Sequence, residues 1–325
     1  MSIETRTDAE AVPEGGQAQV SRMLARYLHA QRETIMDGQI AACHDDPDSV
    51  VGVVKAARRA RCALSAHPTA VRRQSEVRRL VEELRWLGIT TGAAHDLRAQ
   101  SARLHAAVDV LRPRYVRGPV RERMAAYFDV RIRPAWTAAR DLLAAPRFVT
   151  VVEDLMAEER LLHTGVVPGI DEPDNSVVLD ALLGRVRRRM RRVGSARGED
   201  AIDAAMHDLR KSVRRTRYYV ESVRDLDPSR SDQTVAGLIA VQDLLGEYQD
   251  AVVAKHHLIQ LTREAENAGE SAFTYGLLLQ REIDRTAELA AALPGTYWRS
   301  LRTARVMADI HTGTGTGGAA PRKTS

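Results

Sequence analysis

Two stretches, VVGVVKAARRAR at residues 50–61 and MHDLRKSVRRTR at residues 206–217, carry the pattern on which the fold prediction depends. When the second stretch is placed 156 positions after the first, Lys55 aligns with Lys211, and three arginines align with three arginines. The aligned residues are Arg58, Arg59 and Arg61 in one stretch and Arg214, Arg215 and Arg217 in the other. Further along, Leu84, Gly92 and Asp96 align with Leu238, Gly246 and Asp250 at an offset of 154. Two features in the same order at nearly one offset predict a duplicated structural unit.

The residues of the second stretch recur at helical spacing. At about 100° per residue, a single inward-facing stripe is predicted for four of its residues. These are Leu209, Val213, Thr216 and Val220. Hydrophobic residues make up 44% of the chain and aromatic residues only 4%, which favours closely packed helices over sheets. We therefore predict an all-α protein with two helical bundles.

The length of 325 residues suits two domains of roughly 150 residues each. We predict a first bundle over residues 16–165 and a second over residues 176–310. A linker is predicted at residues 166–175, which are rich in Gly, Pro and acidic residues. Residues 1–15 and 311–325 are polar and are predicted to be flexible ends. Helix breaks are predicted at residues 45–49 and 67–69, near Pro113, Pro134 and Pro146, and at residues 194–198 and 225–231.

Charge and cysteine content restrict the class of protein. The chain has 48 Lys and Arg against 43 Asp and Glu, and most of the basic residues are Arg, whose planar fork suits phosphate oxygens. Cys43 and Cys62 lack the spacing of a metal site, which predicts a reducing compartment without a disulfide framework. No uncharged apolar run approaches the ~20 residues that span a bilayer, and the first residues resemble no signal peptide. We expect a cytoplasmic protein without membrane association.

Cations concentrate in both repeated stretches and at residues 185–192 (RVRRRMRR), which hold six arginines in eight positions. Like charges at three- and four-residue spacing repel by a few tenths of a kcal/mol per pair. Such clusters are unfavourable unless an anion or a facing acidic helix compensates them, so we predict a track of cations that binds a repeating anion. The candidate binding residues are Lys55, Arg58, Arg59, Arg61, Arg188, Arg189, Arg192, His207, Arg210, Lys211, Arg214, Arg215, Arg217 and Tyr218.

The stretch MHDLRKSVRRTRY at residues 206–218 resembles the motif of the CHAD family, the conserved-histidine α-helical domain. The segments LRWL at residues 84–87 and DLLGEYQD at residues 243–250 are similar to that family too. The resemblance spans roughly residues 17–308. It implies two antiparallel four-helix bundles related by an internal pseudo-twofold axis, with a basic central groove or pore. It also implies binding of inorganic polyphosphate and association with polyphosphate granules, with sulfate or phosphate able to occupy the same site.

The two halves match the family motif unequally. The second half has all the basic residues of the motif, namely His207, Arg210, Lys211, Arg214, Arg215 and Arg217. In the first half Val51 stands where the motif histidine belongs, and Val54 stands where its first arginine belongs. We therefore expect the second half to contribute more to binding.

Catalytic motifs are missing from the sequence. We find no G-x-x-x-x-G-K-[ST], no G-x-S-x-G and no H-E-x-x-H, nor the E-x-E-x-K strand of triphosphatase domains that share chains with CHAD modules. The adjacent glutamates Glu82–Glu83 and Glu158–Glu159 are interpreted as parts of solvated helix faces. We predict a protein that is not an enzyme and that needs no metal or cofactor.

Two alternatives stay open. A guanidinium track also attracts phosphodiesters, although single-strand binders usually add aromatic platforms, and only Tyr218 and Tyr219 flank the clusters. The other alternative is a helical scaffold whose basic face docks an acidic partner or pairs with the chain's own acidic helices. The carboxylates of residues 151–160 and 243–250 would supply such internal pairs. The oligomeric state is left open.

Overall fold

The computed structural model describes residues 16–42, 50–67, 73–164 and 175–309. Over these ranges the chain forms nine α-helices and no strand. They are α1 (Gly16–Ala42), α2 (Val50–Ala66), α3 (Gln74–Asp109), α4 (Val120–Ala144), α5 (Pro146–His163), α6 (Asn175–Ser195), α7 (Glu199–Ser222), α8 (Pro228–Asn267) and α9 (Phe273–Asp309). The all-α prediction is confirmed. The predicted flexible ends, and all of the predicted linker except Asn175, lie outside the described residues.

Of the seven predicted helix breaks, the one at 45–49 and all but the first residue of the one at 67–69 lie outside the described residues. Four of the other five separate neighbouring helices, and one prediction is wrong. The break expected at Pro134 does not occur, because α4 runs through this residue. Proline removes a backbone hydrogen bond and crowds the preceding turn of a helix. In α4 the buried side chains of Phe128 before the proline and Leu142 after it are both fixed in hydrophobic cores. Tertiary packing on both sides therefore outweighs the local cost of the proline.

Each half of the chain has its own hydrophobic core. In the first half, α1 to α5 surround residues such as Leu28, Leu84 and Phe148. In the second half, α6 to α9 surround residues such as Leu209 and Leu293. The repeated stretches lie on α2 and α7, and the second repeated feature lies on α3 and α8. The two repeated features therefore lie on two successive helices in each half of the chain.

The halves also share core residues. The far end of the α3–α4 hairpin packs against the far end of the α8–α9 hairpin, where Leu104 and Phe128 meet Leu258 and Tyr275. A smaller cluster of buried residues joins Met23, in the amino-terminal part of α1, to residues of α2, α6 and α7. Between these two contacts the equivalent helices α2 and α7 pack directly against each other. This contact places the basic residues of both halves in one region.

Candidate anion-binding site

The contact between α2 and α7 brings together arginines from both repeated stretches. We call them the arginine cluster, and its members are Arg58, Arg59, Arg210, Arg214, Arg215 and Arg217. The predicted inward stripe of α7 is confirmed, since its four residues are buried. The arginines of the cluster are only partly exposed. The reason is that α2 covers the side of α7 that a lone helix would offer to solvent.

Burial makes the charged form of these guanidinium groups unfavourable. It is the main cause that lowers the pKa of Arg210, Arg214 and Arg215, and for Arg214 the pKa falls to about 10. Nearby cations lower these pKa values further, Arg58 acting on Arg210 and Arg214, and Arg185 acting on Arg215. Desolvation and like charges both disfavour the protonated state. The groups still carry their charge at neutral pH, so a bound anion would relieve an existing electrostatic strain.

The cluster also holds hydrogen-bond donors without acceptors. The Nε atoms of Arg59, Arg210, Arg214 and Arg215 are buried and have no hydrogen-bond partner. A buried donor without an acceptor costs about 1–3 kcal/mol. Among the described residues, no carboxylate oxygen lies within 4.0 Å of a guanidinium nitrogen of Arg210, Arg214 or Arg215. An oxyanion would supply the missing acceptors.

One end of the cluster is neutralised by Glu221 of α7. Its carboxylate accepts hydrogen bonds from Arg217 Nε at 2.7 Å and from the Tyr27 hydroxyl of α1 at 3.0 Å, and it lies 3.8 Å from Arg59 Nε. Burial, followed by the Glu221 charge, raises the pKa of Tyr27, so its hydroxyl remains a donor. The guanidinium groups of Arg59 and Arg217 also lie 5.8 and 5.3 Å from the ring centroid of buried Tyr218. This end of the cluster is therefore already supplied with a counter-charge.

His207 lies at the edge of the site rather than within it. Its ring is exposed, and Nδ1 lies 3.0 Å from Oε1 of Gln249 on α8. At the offsets of the repeat, His207 aligns with Val51 and Gln249 aligns with His95. The histidine of the first half, His95, therefore lies on α3, whereas that of the second half, His207, lies on α7, which is equivalent to α2.

Two acidic residues border the cluster from α3 and α8. Asp96 and Asp250, which align in the repeat, both act electrostatically on Arg210. Burial is the main cause that raises the pKa of Asp250, while the charges of Arg210 and Arg103 oppose the increase. The negative charges of Asp96 and Asp250 reduce the positive electrostatic potential at this side of the arginine cluster. The internal pairing that the scaffold alternative would require of residues 243–250 is not seen at Asp250, which makes no ion pair within 4.0 Å among the described residues.

The remaining predicted residues differ in their surroundings. Lys55, Arg188 and Arg192 are exposed, and Arg61 is partly buried. Arg189 donates a hydrogen bond to Asp208 at 2.6 Å, and exposed Lys211 lies 3.7 Å from the same carboxylate. The structure adds Arg185, Tyr27 and Glu221, which the sequence did not single out. Arg185 lay within the quoted arginine run, whereas no local pattern pointed to the other two.

The glutamates of α5 do not reach the arginine cluster. Glu158 and Glu159 were predicted to be solvated, and this is wrong, because both are buried where α5 packs on α1. Glu159 accepts from Arg32 Nε at 2.9 Å, and Glu158 accepts from Arg73 at 2.9 Å. The carboxylates of Glu158 and Glu159 are therefore engaged within the first half of the chain. They leave the central arginines uncompensated.

Two further properties concern the described part of the chain. Within it, no group of three or more His, Cys, Asp or Glu side chains is placed to hold a metal ion. None of the helices described is long and apolar enough to cross a membrane.

Comparison with known proteins assigns the family. The family model for the CHAD domain matches residues 26–259, which is more than half of the chain. The protein therefore belongs to the CHAD domain family. This membership fits a role related to polyphosphate.

Relatives in sequence and in structure agree with this assignment. The uncharacterized proteins MT2285 and Rv2226 of two Mycobacterium tuberculosis strains are each 32% identical over 210 residues, a match covering 63% of this chain and 39% of theirs. The chain thus matches about two-fifths of the length of these relatives. PptA from Streptomyces chartreusis has a similar structure, with a TM-score of 0.67 and 17% identity over 86% of this chain and 99% of that one. The CHAD domain from the plant Ricinus communis has a TM-score of 0.65 and 23% identity over 86% and 91%. Both likenesses concern the fold.

Proposed function

We propose that this protein binds inorganic polyphosphate at the arginine cluster and that it does so without catalysis. The observation that carries the proposal is the set of partly exposed arginines whose buried Nε atoms have no acceptor, Arg210, Arg214 and Arg215 above all. Each guanidinium offers five N–H donors in a fixed fork that matches phosphate geometry. A chain of phosphates would satisfy these donors and neutralise the like charges of α2 and α7. Membership of the CHAD family supports the same ligand.

The proposal also concerns the location of the protein in the cell. We infer a protein of the reducing cytoplasm that associates with polyphosphate granules, in keeping with its free buried Cys62. Binding through several guanidinium groups releases condensed counterions, so affinity should fall steeply as salt rises. No metal or cofactor is required for such binding.

A nucleic acid is the weaker candidate. Binders of single strands stack bases on accessible aromatic rings. Tyr218, the aromatic residue next to the arginine cluster, is buried beside the guanidinium groups of Arg59 and Arg217. A base therefore finds no open ring there. The scaffold alternative is also weaker, since the internal carboxylates Glu221 and Asp208 engage only the margins of the basic region.

The test is a competition titration at near-physiological salt. Labelled long-chain polyphosphate is bound to the protein and then challenged with excess single-stranded RNA of equal total charge. Polyphosphate that stays bound, with no orthophosphate released, agrees with the proposal. Ready displacement by RNA would favour a nucleic-acid binder, and an absence of binding would favour a scaffold.

Charge-reversal variants locate the site. Arg210, Arg214 and Arg215 replaced together by Glu should lower polyphosphate affinity by about a hundredfold or more, because attraction becomes repulsion. The matched control replaces three exposed arginines away from the cluster by Glu, and these are Arg112, Arg133 and Arg263. Both variants change the net charge equally, so only a difference between them reports on the site. Helicity measured by circular dichroism should be the same for both. An equal loss in the control would remove the assignment of the site.

A further inference from the structure

The arginine cluster is bordered by a carboxylate at each end along α7. At one end Glu221 accepts a hydrogen bond from Arg217. At the other end Asp250 acts electrostatically on Arg210. Arg215 lies between these ends, and in the described structure no carboxylate oxygen comes within 4.0 Å of its guanidinium nitrogens. A phosphate chain that is longer than the cluster therefore meets the least repulsion where it leaves the cluster at Arg215.

Helix α6 continues the positive charge beyond Arg215. It is joined to α7 by residues 196–198, and the two helices pack against each other. Arg185 of α6 acts electrostatically on Arg215, and Arg189 donates a hydrogen bond to Asp208 of α7 at 2.6 Å. These contacts are in the register of two antiparallel helices. At about 100° per residue, the two α6 arginines share one side of the helix with two more. We call these four residues the α6 stripe, namely Arg185, Arg188, Arg189 and Arg192.

Most of the α6 stripe has no counter-charge. Three of its arginines are exposed, and in the described part of the chain no carboxylate oxygen lies within 4.0 Å of their guanidinium nitrogens. They are Arg185, Arg188 and Arg192. Asp208 supplies a carboxylate to Arg189 and to exposed Lys211. The stripe extends over about 10 Å of helix. It therefore adds uncompensated cations directly beside the cluster.

Helix α1 in the first half does not carry a comparable stripe. Buried apolar residues of α1 and α6 align at an offset of 158, and they are Leu24 and Leu28 in α1 and Leu182 and Val186 in α6. In this register the α6 stripe aligns with four uncharged residues, namely Tyr27, Ala30, Gln31 and Thr34. The Tyr27 hydroxyl donates a hydrogen bond to Glu221 at 3.0 Å. A phosphate chain therefore meets a carboxylate and uncharged side chains at α1, but arginines at α6.

We propose that a polyphosphate chain longer than the arginine cluster continues from Arg215 onto the α6 stripe, with Arg185 joining the two surfaces. This proposal rests on the function proposed above and adds the path of the ligand over the protein. Guanidinium groups bind phosphate oxygens through paired hydrogen bonds, and each added phosphate contact releases condensed counterions. Long chains should therefore bind more tightly than short ones, and the gain should depend on α6.

Two matched pairs of substitutions test the path. Arg188→Glu with Arg192→Glu changes the α6 stripe, and Arg187→Glu with Arg191→Glu changes another side of the same helix. All four arginines are exposed, and both pairs have the same spacing and the same change in net charge. The first pair should lower the affinity for long-chain polyphosphate about tenfold or more, because attraction becomes repulsion. The second pair should have a much smaller effect, as measured by isothermal titration at near-physiological salt.

Tripolyphosphate reports on the cluster alone, because a chain of three phosphates bound there does not also extend along α6. The variant at Arg188 and Arg192 should retain the affinity of the unmodified protein for this short chain. Its affinity for the long chain should depend less steeply on salt, since fewer counterions are released. Circular dichroism should show the same helicity for both pairs of substitutions.

The outcomes separate the path from the proposed function. An equal loss of long-chain affinity in both pairs, or no loss at Arg188 and Arg192, overturns the path over α6 and leaves binding at the arginine cluster in place. An equal loss for tripolyphosphate and for the long chain also overturns it, because the α6 stripe would then be part of the cluster and not its extension. If the unmodified protein does not bind long-chain polyphosphate, the proposed function is removed and the path with it.

Discussion

Arg210 of α7 extends over Gly246 of α8, with its Nη2 atom 3.8 Å from the point that a Cβ at residue 246 would occupy. In the first half, Val54 takes the equivalent place over Gly92, with both methyl carbons at 3.5 Å from such a point. The helices approach each other similarly, but one half presents a cation and the other an isopropyl group. Each half is therefore a natural control for the other.

Arg210→Val gives the second half the residue that the first half already accommodates. We expect the affinity for polyphosphate to fall about tenfold, because one charge-assisted contact is lost. Stability without a ligand should rise, since burial lowers the pKa of Arg210 and the charged group is unfavourable there. Isothermal titration and thermal melting check both effects. Val54→Ala, which removes buried apolar volume in the first half, should lower stability and leave the affinity unchanged. Unchanged binding in Arg210→Val would contradict its role.

Glu221→Gln should release the neutralised end of the cluster. The variant frees Arg59 and Arg217 for the ligand, so the affinity for polyphosphate should rise several-fold at low salt. The free energy of unfolding should fall by about 1–3 kcal/mol, because partly buried donors lose a charged acceptor. Asp225→Asn is the control, since Asp225 makes an exposed ion pair with Arg26 and the charge change is the same. A gain of equal size in Asp225→Asn would show that only net charge matters.

Binding should weaken at high pH earlier than unperturbed arginine predicts. The pKa of Arg214 is lowered from 12.5 to about 10, so this side chain loses its charge as pH rises through 10. The folded state then binds fewer protons than the unfolded chain, and the unfavourable contribution of Arg214 to stability declines over the same range. Affinity for polyphosphate measured between pH 8 and pH 11 should therefore decrease near 10. The decrease should be shallower in Arg214→Gln, and identical profiles would contradict the assignment.

His67 makes stability sensitive to acid. The ring is buried after α2, 5.9 Å from the Tyr219 ring, and neither of its nitrogens has a hydrogen-bond partner. Burial lowers the pKa of His67 from 6.5 to about 4. Between these values the unfolded chain binds more protons, so stability should fall as pH falls from 6.5 to 4, by up to about 3 kcal/mol. Urea unfolding at several pH values should show a smaller loss in His67→Leu. An equal loss in the variant would assign the effect to other groups.

Periodicity predicted the local structure well where one face of a helix is buried. The stripe of Leu209 and Val213 was predicted because a helix that packs on a core repeats its apolar residues every three to four positions. The break at Pro134 was wrong because contacts between distant segments outweigh a local cost in α4. Tyr27 was missed for a related reason, since its partner Glu221 is 194 positions away in sequence.

The amino-acid sequence alone was sufficient for the all-α class and for the family, because these depend on local spacing, composition and motif. It did not distinguish the solvated from the buried glutamates, nor the neutralised arginines from the uncompensated ones. Arg214 and Arg217 lie in one motif, yet one has a lowered pKa and the other has Glu221 as a partner. Helical spacing fixes the side on which a residue lies. The packing of α2, α1 and α8 around that side fixes the burial and the neighbouring charges, and these set the energy of each guanidinium group.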